Sequence, residues 1–140
     1  GWPVELYLDA KTHKYVEEFS TSNFIGITRD GTYVTPDSNS ILPSITNMSL
    51  KQCAADLGWK VECRPVPYEE IREFAEVAAC GTAVVITPVW EITRGDEVIT
   101  ISGKDTVGEH LQKLYDTVQG IQYGLLEDVH GWCHEVKIDA

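Results

Sequence analysis

Residues 17–27, with the sequence EEFSTSNFIGI, carry two patterns that compete for the same backbone. Phe19 and Phe24 are aromatic residues of the kind that favour strands. The short polar residues 20–23 between them favour a turn instead. The carboxylate of Glu18 stands directly before that turn. The stretch therefore predicts two strands joined by a tight polar turn, with more polar groups at the turn than packing requires.

The chain as a whole has the composition of one globular domain. Its 140 residues are 43% hydrophobic, which is enough for one core and leaves little room for a second domain. The 11 basic and 22 acidic residues give a formal net charge of −11. A surface of this charge repels polyanions, so nucleic acid and anionic membranes are disfavoured as partners. No run approaches the roughly 20 apolar residues that span a bilayer.

The cysteines and the start of the chain favour an intracellular protein. Cys53, Cys63, Cys80 and Cys133 are widely spaced and form no CxxC pair, which is typical of free thiols in a reducing compartment. Cys133 beside His134 is too small a ligand set to predict a metal site. The first residues lack the basic and apolar regions of a signal peptide, which leaves the cytoplasm or the mitochondrion as the expected compartment.

The order of predicted elements is that of a mixed α/β layered domain. Ser44 is suited to cap the first helix and Gly58 to end it. Residues 84–89 form a continuous apolar run, typical of a strand buried on both faces. Apolar residues at every second position predict the remaining strands, and apolar residues at helical spacing predict the remaining helices. The predicted strands are residues 4–8, 15–19, 23–27, 32–35, 59–64, 84–89 and 97–101, and the predicted helices are residues 45–57, 67–79 and 107–123.

Two of the predicted helices depend on particular signals. The second begins at Pro67, and Glu69 and Glu70 follow in the first turn, where the helix dipole favours acidic groups. The last helix has an apolar stripe on one face. The members of that stripe are Leu111, Leu114, Tyr115, Val118 and Ile121.

Three places are richer in polar or small residues than packing requires. They are the turn after Glu18, the helix start at residues 44–46 and the small-residue link at residues 80–83. Taken singly, Ser44 merely caps its helix and the link is merely tight. Taken together, they supply two neutral anion-binding turns and one carboxylate. Pyridoxal phosphate (PLP) has the matching groups, a phosphate and a basic ring nitrogen that a carboxylate keeps protonated.

Four blocks of the sequence resemble the fold-type IV PLP enzymes, specifically the branched-chain amino acid aminotransferases. Residues 18–24, EFSTSNF, resemble that family's E-x-G-T-x-N-x-F block, and residues 41–46, ILPSIT, resemble I-L-P-G-V-T. Residues 76–83, EVAACGTA, resemble E-V-F-x-x-G-T-A, and residues 121–124 match I-Q-Y-G. The blocks occur in the family's order along nearly the whole chain.

The resemblance implies a role for each matching residue. Glu18 would face the pyridine nitrogen, and the backbone amides of Ile45 and Thr46, the Thr46 hydroxyl and Thr82 would hold the phosphate. The substrate carboxylate would be bound by Thr21, Thr82 and Ala83. Asn23 would support the turn, and no metal is implied.

The sequence departs from the family pattern at several points. Ser20 and Ser44 replace two glycines, and Val84 and Thr87 occupy the places of a redox cysteine pair found in some members. The family's catalytic lysine lies a few tens of residues before the glutamate matched by Glu18, so none is expected among these 140 residues. The chain is therefore expected to be the C-terminal part of the large, barrel-like cofactor domain, without the N-terminal small domain and inactive alone.

The function implied by the resemblance is transfer of the amino group of Leu, Ile or Val to 2-oxoglutarate by a ping-pong cycle. A homodimer is implied for the complete enzyme. Two alternatives stay open. The first is another fold-type IV activity, such as a D-amino acid or amine transaminase or aminodeoxychorismate lyase. The second is a non-catalytic scaffold or dimerisation fragment.

Overall fold

The structure is a computed structural model that describes residues 4–137. It contains an eight-stranded sheet, a separate two-stranded hairpin and two α-helices. No helix within residues 4–137 is long and apolar enough to cross a membrane. The strands are β1 (Leu6–Leu8), β2 (Tyr15–Phe19), β3 (Ser22–Thr28), β4 (Tyr33–Pro36), β5 (Val61–Arg64), β6 (Val66–Pro67), β7 (Phe74–Cys80), β8 (Ile86–Pro88), β9 (Glu91–Arg94) and β10 (Glu97–Thr100), and the helices are α1 (Ile45–Asp56) and α2 (Glu109–Gln122).

Strand β3 is the centre of the sheet. One edge pairs antiparallel with β7 along its whole length, from Asn23 opposite Cys80 to Thr28 opposite Phe74. The other edge pairs with β2 at its start and with β4 at its end. Strand β4 continues through α1 into β5, which lies parallel to β4, as a helical crossover requires. The strands predicted at residues 15–19, 23–27 and 32–35 are thereby confirmed.

The two faces of β3 bury two different hydrophobic cores. Ile25 and Ile27 point into a core formed with α1 and α2, whereas Phe24 points into a core on the opposite face. Gly26 shares the second face, and a Cβ there would lie 2.9 Å from the ring of Phe74. The glycine therefore lets an aromatic ring of β7 lie flat against the backbone of β3.

Both α-helices pack on the first core through narrow apolar faces. α1 contributes Leu50, Cys53 and Ala54. Ser44 caps α1, and Gly58, with φ of +80°, follows its last turn, so both predicted boundary signals are confirmed. The predicted stripe of α2 is buried except at Tyr115, which is 37% exposed. Tyr115 follows Leu114 by one residue, and the 100° rotation per residue turns it away from the core.

The helix predicted for residues 67–79 is wrong. Residues Tyr68–Glu73 form a short 3₁₀ segment, and Phe74–Cys80 is strand β7. Apolar residues spaced by three at Ile71, Phe74 and Val77 fit a helix, but the long open edge of β3 needs a partner for its backbone groups. Residues 80–83 consequently link two strands rather than a helix and a strand.

The strand predicted at residues 84–89 is only partly correct. Only Ile86–Pro88 forms a strand, β8, which pairs with β7 alone and lies at the edge of the sheet. Val84 is 59% exposed, so burial on both faces is wrong. Pro88 fits this place because an edge strand tolerates a residue without an amide hydrogen.

The start of α2 is capped by a buried carboxylate of β7. Glu76 accepts hydrogen bonds from the amides of His110, at 3.1 Å, and Leu111, at 2.9 Å. The ring Nδ1 of His110 lies 3.0 Å from the same carboxylate. Gly108 leaves room for it, since a Cβ on Gly108 would overlap the Glu76 side chain. Glu76 therefore caps α2 from a position 34 residues before His110. In most helices a residue at the N-cap itself accepts these hydrogen bonds.

We expect Glu76→Ala to lower the free energy of unfolding by about 2 kcal/mol, because it leaves the buried amide of Leu111 and the half-buried amide of His110 without acceptors. The measurement is urea or thermal unfolding followed by circular dichroism. Glu73→Ala, which removes an exposed carboxylate at the end of the 3₁₀ segment, is the control and should stay within about 0.5 kcal/mol of the wild type. Equal effects of the two substitutions would contradict the capping role.

Candidate functional site

Residues from three of the sequence blocks come together at the ends of neighbouring strands in the middle of the sheet. Glu18 at the end of β2 pairs with Asn23 at the start of β3, and Asn23 pairs on its other side with Cys80 at the end of β7. These three residues therefore form one row across neighbouring strands. Beyond the row, Gly81 lies beside Ser22, whose Cβ is 3.8 Å from the position of an added Cβ.

The loop before α1 is fixed to this row through the peptide groups of Leu42. Its N–H donates to Glu18 Oε2 at 3.3 Å, and its carbonyl accepts from Asn23 Nδ2 at 3.0 Å. Asn23 Nδ2 also lies 3.4 Å from Glu18 Oε2. Asn23 is buried, so its end of this bridge is shielded from water. The side chain expected only to support a turn thus joins two of the sequence blocks.

The carboxylate of Glu18 is held on one oxygen and available on the other. Oε2 receives both hydrogen bonds, while no hydrogen bond within the described part of the chain reaches Oε1. The side chain is half-buried. A donor such as a protonated ring nitrogen could approach Oε1 without displacing the contacts that orient the group.

The N-terminus of α1 presents two amides without acceptors. Ser44 Oγ accepts from the amide of Asn47 at 3.1 Å, and the Ser44 carbonyl accepts from that of Met48 at 3.0 Å. Within residues 4–137, the amides of Ile45 and Thr46 have no such partner, as expected for the first turn of a helix. Ile45 is 74% exposed, so this end of the dipole faces outward. It can accept an anion.

Thr21, Thr82 and Ala83 lie beyond the same strand ends and are exposed. Thr21 belongs to the tight turn between β2 and β3, and Thr82 and Ala83 belong to the turn between β7 and β8. The two turns are neighbours, since Asn23 lies opposite Cys80 and Gly81 lies beside Ser22. The residues predicted for the substrate carboxylate are therefore on two neighbouring turns, next to the row that contains Glu18.

Sequence reasoning missed a buried polar network below the start of α1. Asn47 hydrogen-bonds to Tyr33 and Thr35 of β4. The available signal was an asparagine three residues after the N-cap, where a capping box has Glu or Gln.

The cysteine in the row is buried and unreactive. All four cysteines are free, and burial raises the pKa of the Cys80 thiol to about 12, so this thiol stays protonated at neutral pH. Within residues 4–137, no three His, Cys, Asp or Glu side chains are grouped so that they could hold a metal ion.

Solved structures share this fold. The branched-chain amino acid aminotransferase from Escherichia coli superposes with a TM-score of 0.80 at 29% identity, over 94% of this chain and 42% of that one. The branched-chain amino acid aminotransferase from Thermobaculum terrenum, in its PLP form, gives a TM-score of 0.75 at 31% identity, over 89% and 38%. The predicted mixed α/β fold of the fold-type IV enzymes is confirmed.

The sequence comparisons identify the family. The family described as amino-transferase class IV matches residues 6–92, and the chain belongs to it. An aminotransferase from Penicillium oxalicum, poxL, is 42% identical over 95% of this chain and 38% of its own length. A branched-chain-amino-acid aminotransferase from Haemophilus influenzae is 42% identical over 94% and 39%. The chain spans about two-fifths of the length of these relatives.

We expect Ser44→Ala to destabilise the folded chain by about 1 kcal/mol, because it removes the acceptor for the Asn47 amide. Ser44→Gly should cost much less, since glycine is tolerated at N-caps. Unfolding titrations measure both. Ser49→Ala is the matched control in the same helix. Its hydroxyl only contacts the Ile45 carbonyl one turn back, so its loss should be neutral or slightly stabilising.

Proposed function

We propose that this chain is the C-terminal part of a PLP-dependent branched-chain amino acid aminotransferase. The proposed reaction moves the amino group of Leu, Ile or Val to 2-oxoglutarate. The observation that carries the proposal is the arrangement of one oriented carboxylate, Glu18, tied through Leu42 to the loop that leads to the free amides of Ile45 and Thr46. The names of the H. influenzae and E. coli relatives support the substrate class.

The residues present fit PLP by their chemistry. Glu18 Oε1 offers an acceptor for the ring nitrogen, and Oε2 is kept in place by Asn23 and Leu42. The amides of Ile45 and Thr46 and the Thr46 hydroxyl offer donors to a phosphate, with Thr82 as a further donor from the turn after β7. When bound, PLP supplies an electron sink for deprotonation at the substrate Cα.

Glu18 acts by holding a proton on its partner rather than by moving one. The carboxylate is half-buried, and two N–H donors contact its Oε2. The same two donors restrain its rotation, so that the negative charge stays directed at one position. Preorganised charge of this kind is a large contribution to catalysis.

The α1 terminus acts as an anchor. Its two free amides and the positive end of the helix dipole favour a phosphate dianion, without a basic side chain from this helix turn. Thr21, Thr82 and Ala83, on the neighbouring turns, are proposed to bind the substrate carboxylate. Their exposed position leaves them open to a ligand from outside the sheet.

The proton-transferring lysine is proposed to lie outside these 140 residues. Lys11 and Lys14 belong to the turn before β2, whereas Glu18 is near the other end of that strand. The strand from Tyr15 to Glu18 rises by about 10 Å. We propose that an upstream segment supplies the lysine and the small domain, that the complete enzyme is a homodimer, and that residues 1–140 alone have no transaminase activity.

One observation favours a second candidate within the same family. The P. oxalicum aminotransferase is as similar to this chain as the H. influenzae enzyme, and its name specifies no substrate. The alternative is therefore a fold-type IV enzyme that uses a different amino donor. Comparing L-leucine, D-alanine and a primary amine as donors with the complete protein separates the two, and preference for L-leucine supports the main proposal.

We expect Glu18→Gln in the complete protein to lower the transamination rate by about 100-fold or more, because a neutral amide no longer favours a protonated ring nitrogen. Stopped assays of glutamate formation from L-leucine and 2-oxoglutarate provide the rate, and the visible absorbance of bound PLP provides a second reading. The control is Glu17→Gln, which changes the neighbouring carboxylate bound to Ser38. Unchanged rates in Glu18→Gln would refute the assignment.

A further inference from the structure

Asn47 connects the first turn of α1 to the sheet below it. Its Oδ1 accepts from the hydroxyl of Tyr33 at 2.6 Å, and its Nδ2 donates to Thr35 Oγ1 at 2.9 Å. Thr35 Oγ1 in turn donates to the carbonyl of Phe24 at 3.1 Å. Tyr33 and Thr35 are buried while Asn47 is half-buried, so the network reaches from the core to the start of the helix.

The direction of each bond in this network is determined by its neighbours. The phenol of Tyr33 donates its one hydrogen to Asn47, and the hydroxyl hydrogen of Thr35 is committed to the Phe24 carbonyl. The residue at position 47 must therefore accept on one side and donate on the other, as an amide side chain does. An aspartate at position 47 would place a carboxylate oxygen beside Thr35 Oγ1, where neither oxygen could donate a hydrogen to the other.

The network completes a clamp around the segment that carries the free amides. On one side of that segment, Leu42 is bound by Asn23 and Glu18. On the other side, Asn47 is bound to β4. Residues 44–46 lie between these two attachments. A rotation of the first helical turn would therefore break hydrogen bonds at one side or the other.

We propose that Asn47 is a positioning residue that directs the amides of Ile45 and Thr46 toward the phosphate of the cofactor. This inference rests on the proposed function, since it requires a phosphate at the start of α1. The Oδ1 and Nδ2 of Asn47 are each bound to a residue of β4, so the residue acts through the orientation of the helix turn. Its effect is consequently specific to the phosphate and leaves the ring site at Glu18 unchanged.

The test compares PLP with pyridoxal, which has the same ring but no phosphate, in the complete protein freed of cofactor. Dissociation constants are obtained from absorbance titrations for the wild type and for Asn47→Leu. The expected result is a roughly tenfold weaker binding of PLP with unchanged binding of pyridoxal. Gln112→Leu is the control, because it removes an exposed amide paired with Asp116 on α2.

Each outcome supports or overturns the proposal. If Asn47→Leu weakens the binding of PLP and pyridoxal equally, or of neither, the positioning role is overturned. The proposed function still stands in that case, provided that the wild type binds PLP more tightly than pyridoxal. If the wild type binds PLP no more tightly than pyridoxal, the phosphate site and the proposed function fail together. If Asn47→Leu does not fold, Tyr33→Phe is used instead, because it removes only the hydrogen bond from Tyr33 to Asn47. An unchanged ratio of the PLP and pyridoxal dissociation constants in that variant overturns the proposal.

Discussion

The hydrogen bond from Asn23 Nδ2 to the Leu42 carbonyl, 3.0 Å long, is the contact on which the arrangement of the site depends. Asn23 is buried at the start of β3, between Glu18 on β2 and Cys80 on β7. Leu42 lies in the loop that leads to α1. The exposed hydrogen bond from the Leu42 N–H to Glu18 is the other link between the carboxylate and this loop. Through these two bonds, the strand ends and the helix start are held together.

Burial explains why such a bond can orient a functional group. An unpaired amide or carbonyl inside the protein costs free energy comparable to a lost hydrogen bond. Asn23 therefore cannot turn away from both Glu18 and Leu42 without leaving its own amide buried and unpaired. For the network of Asn47 the same reasoning applies to its partners Tyr33 and Thr35, which are buried. In both cases the side chain that fixes the position is an amide, which carries both donors and an acceptor.

The sequence predicted the fold well where local and tertiary preferences agree. β2, β3 and β4 follow from their apolar patterns and turn residues, and α1 follows from Ser44 and Gly58. The apolar spacing of β7 fits a helix as well as a strand, and only the open edge of β3, which is distant in sequence, decides between them. The cap of α2 by Glu76 could not be predicted for the same reason, since the two groups meet only through the tertiary fold.

The candidate site shows a similar division between groups that can be read from motifs and groups that cannot. Ile45, Thr82 and Ala83 are exposed and belong to short blocks whose order along the chain identifies them. The side-chain amide of Asn23 belongs to such a block, but its partner Leu42 lies in another block, and the side-chain amide of Asn47 lies outside the blocks altogether, so neither contact can be read from the motifs. A motif therefore locates the atoms that would touch a ligand, whereas their mutual orientation depends on contacts such as those of Asn23 and Asn47. Conservative substitutions of Asn23 and Asn47 should accordingly alter ligand binding while every residue that contacts the ligand stays the same.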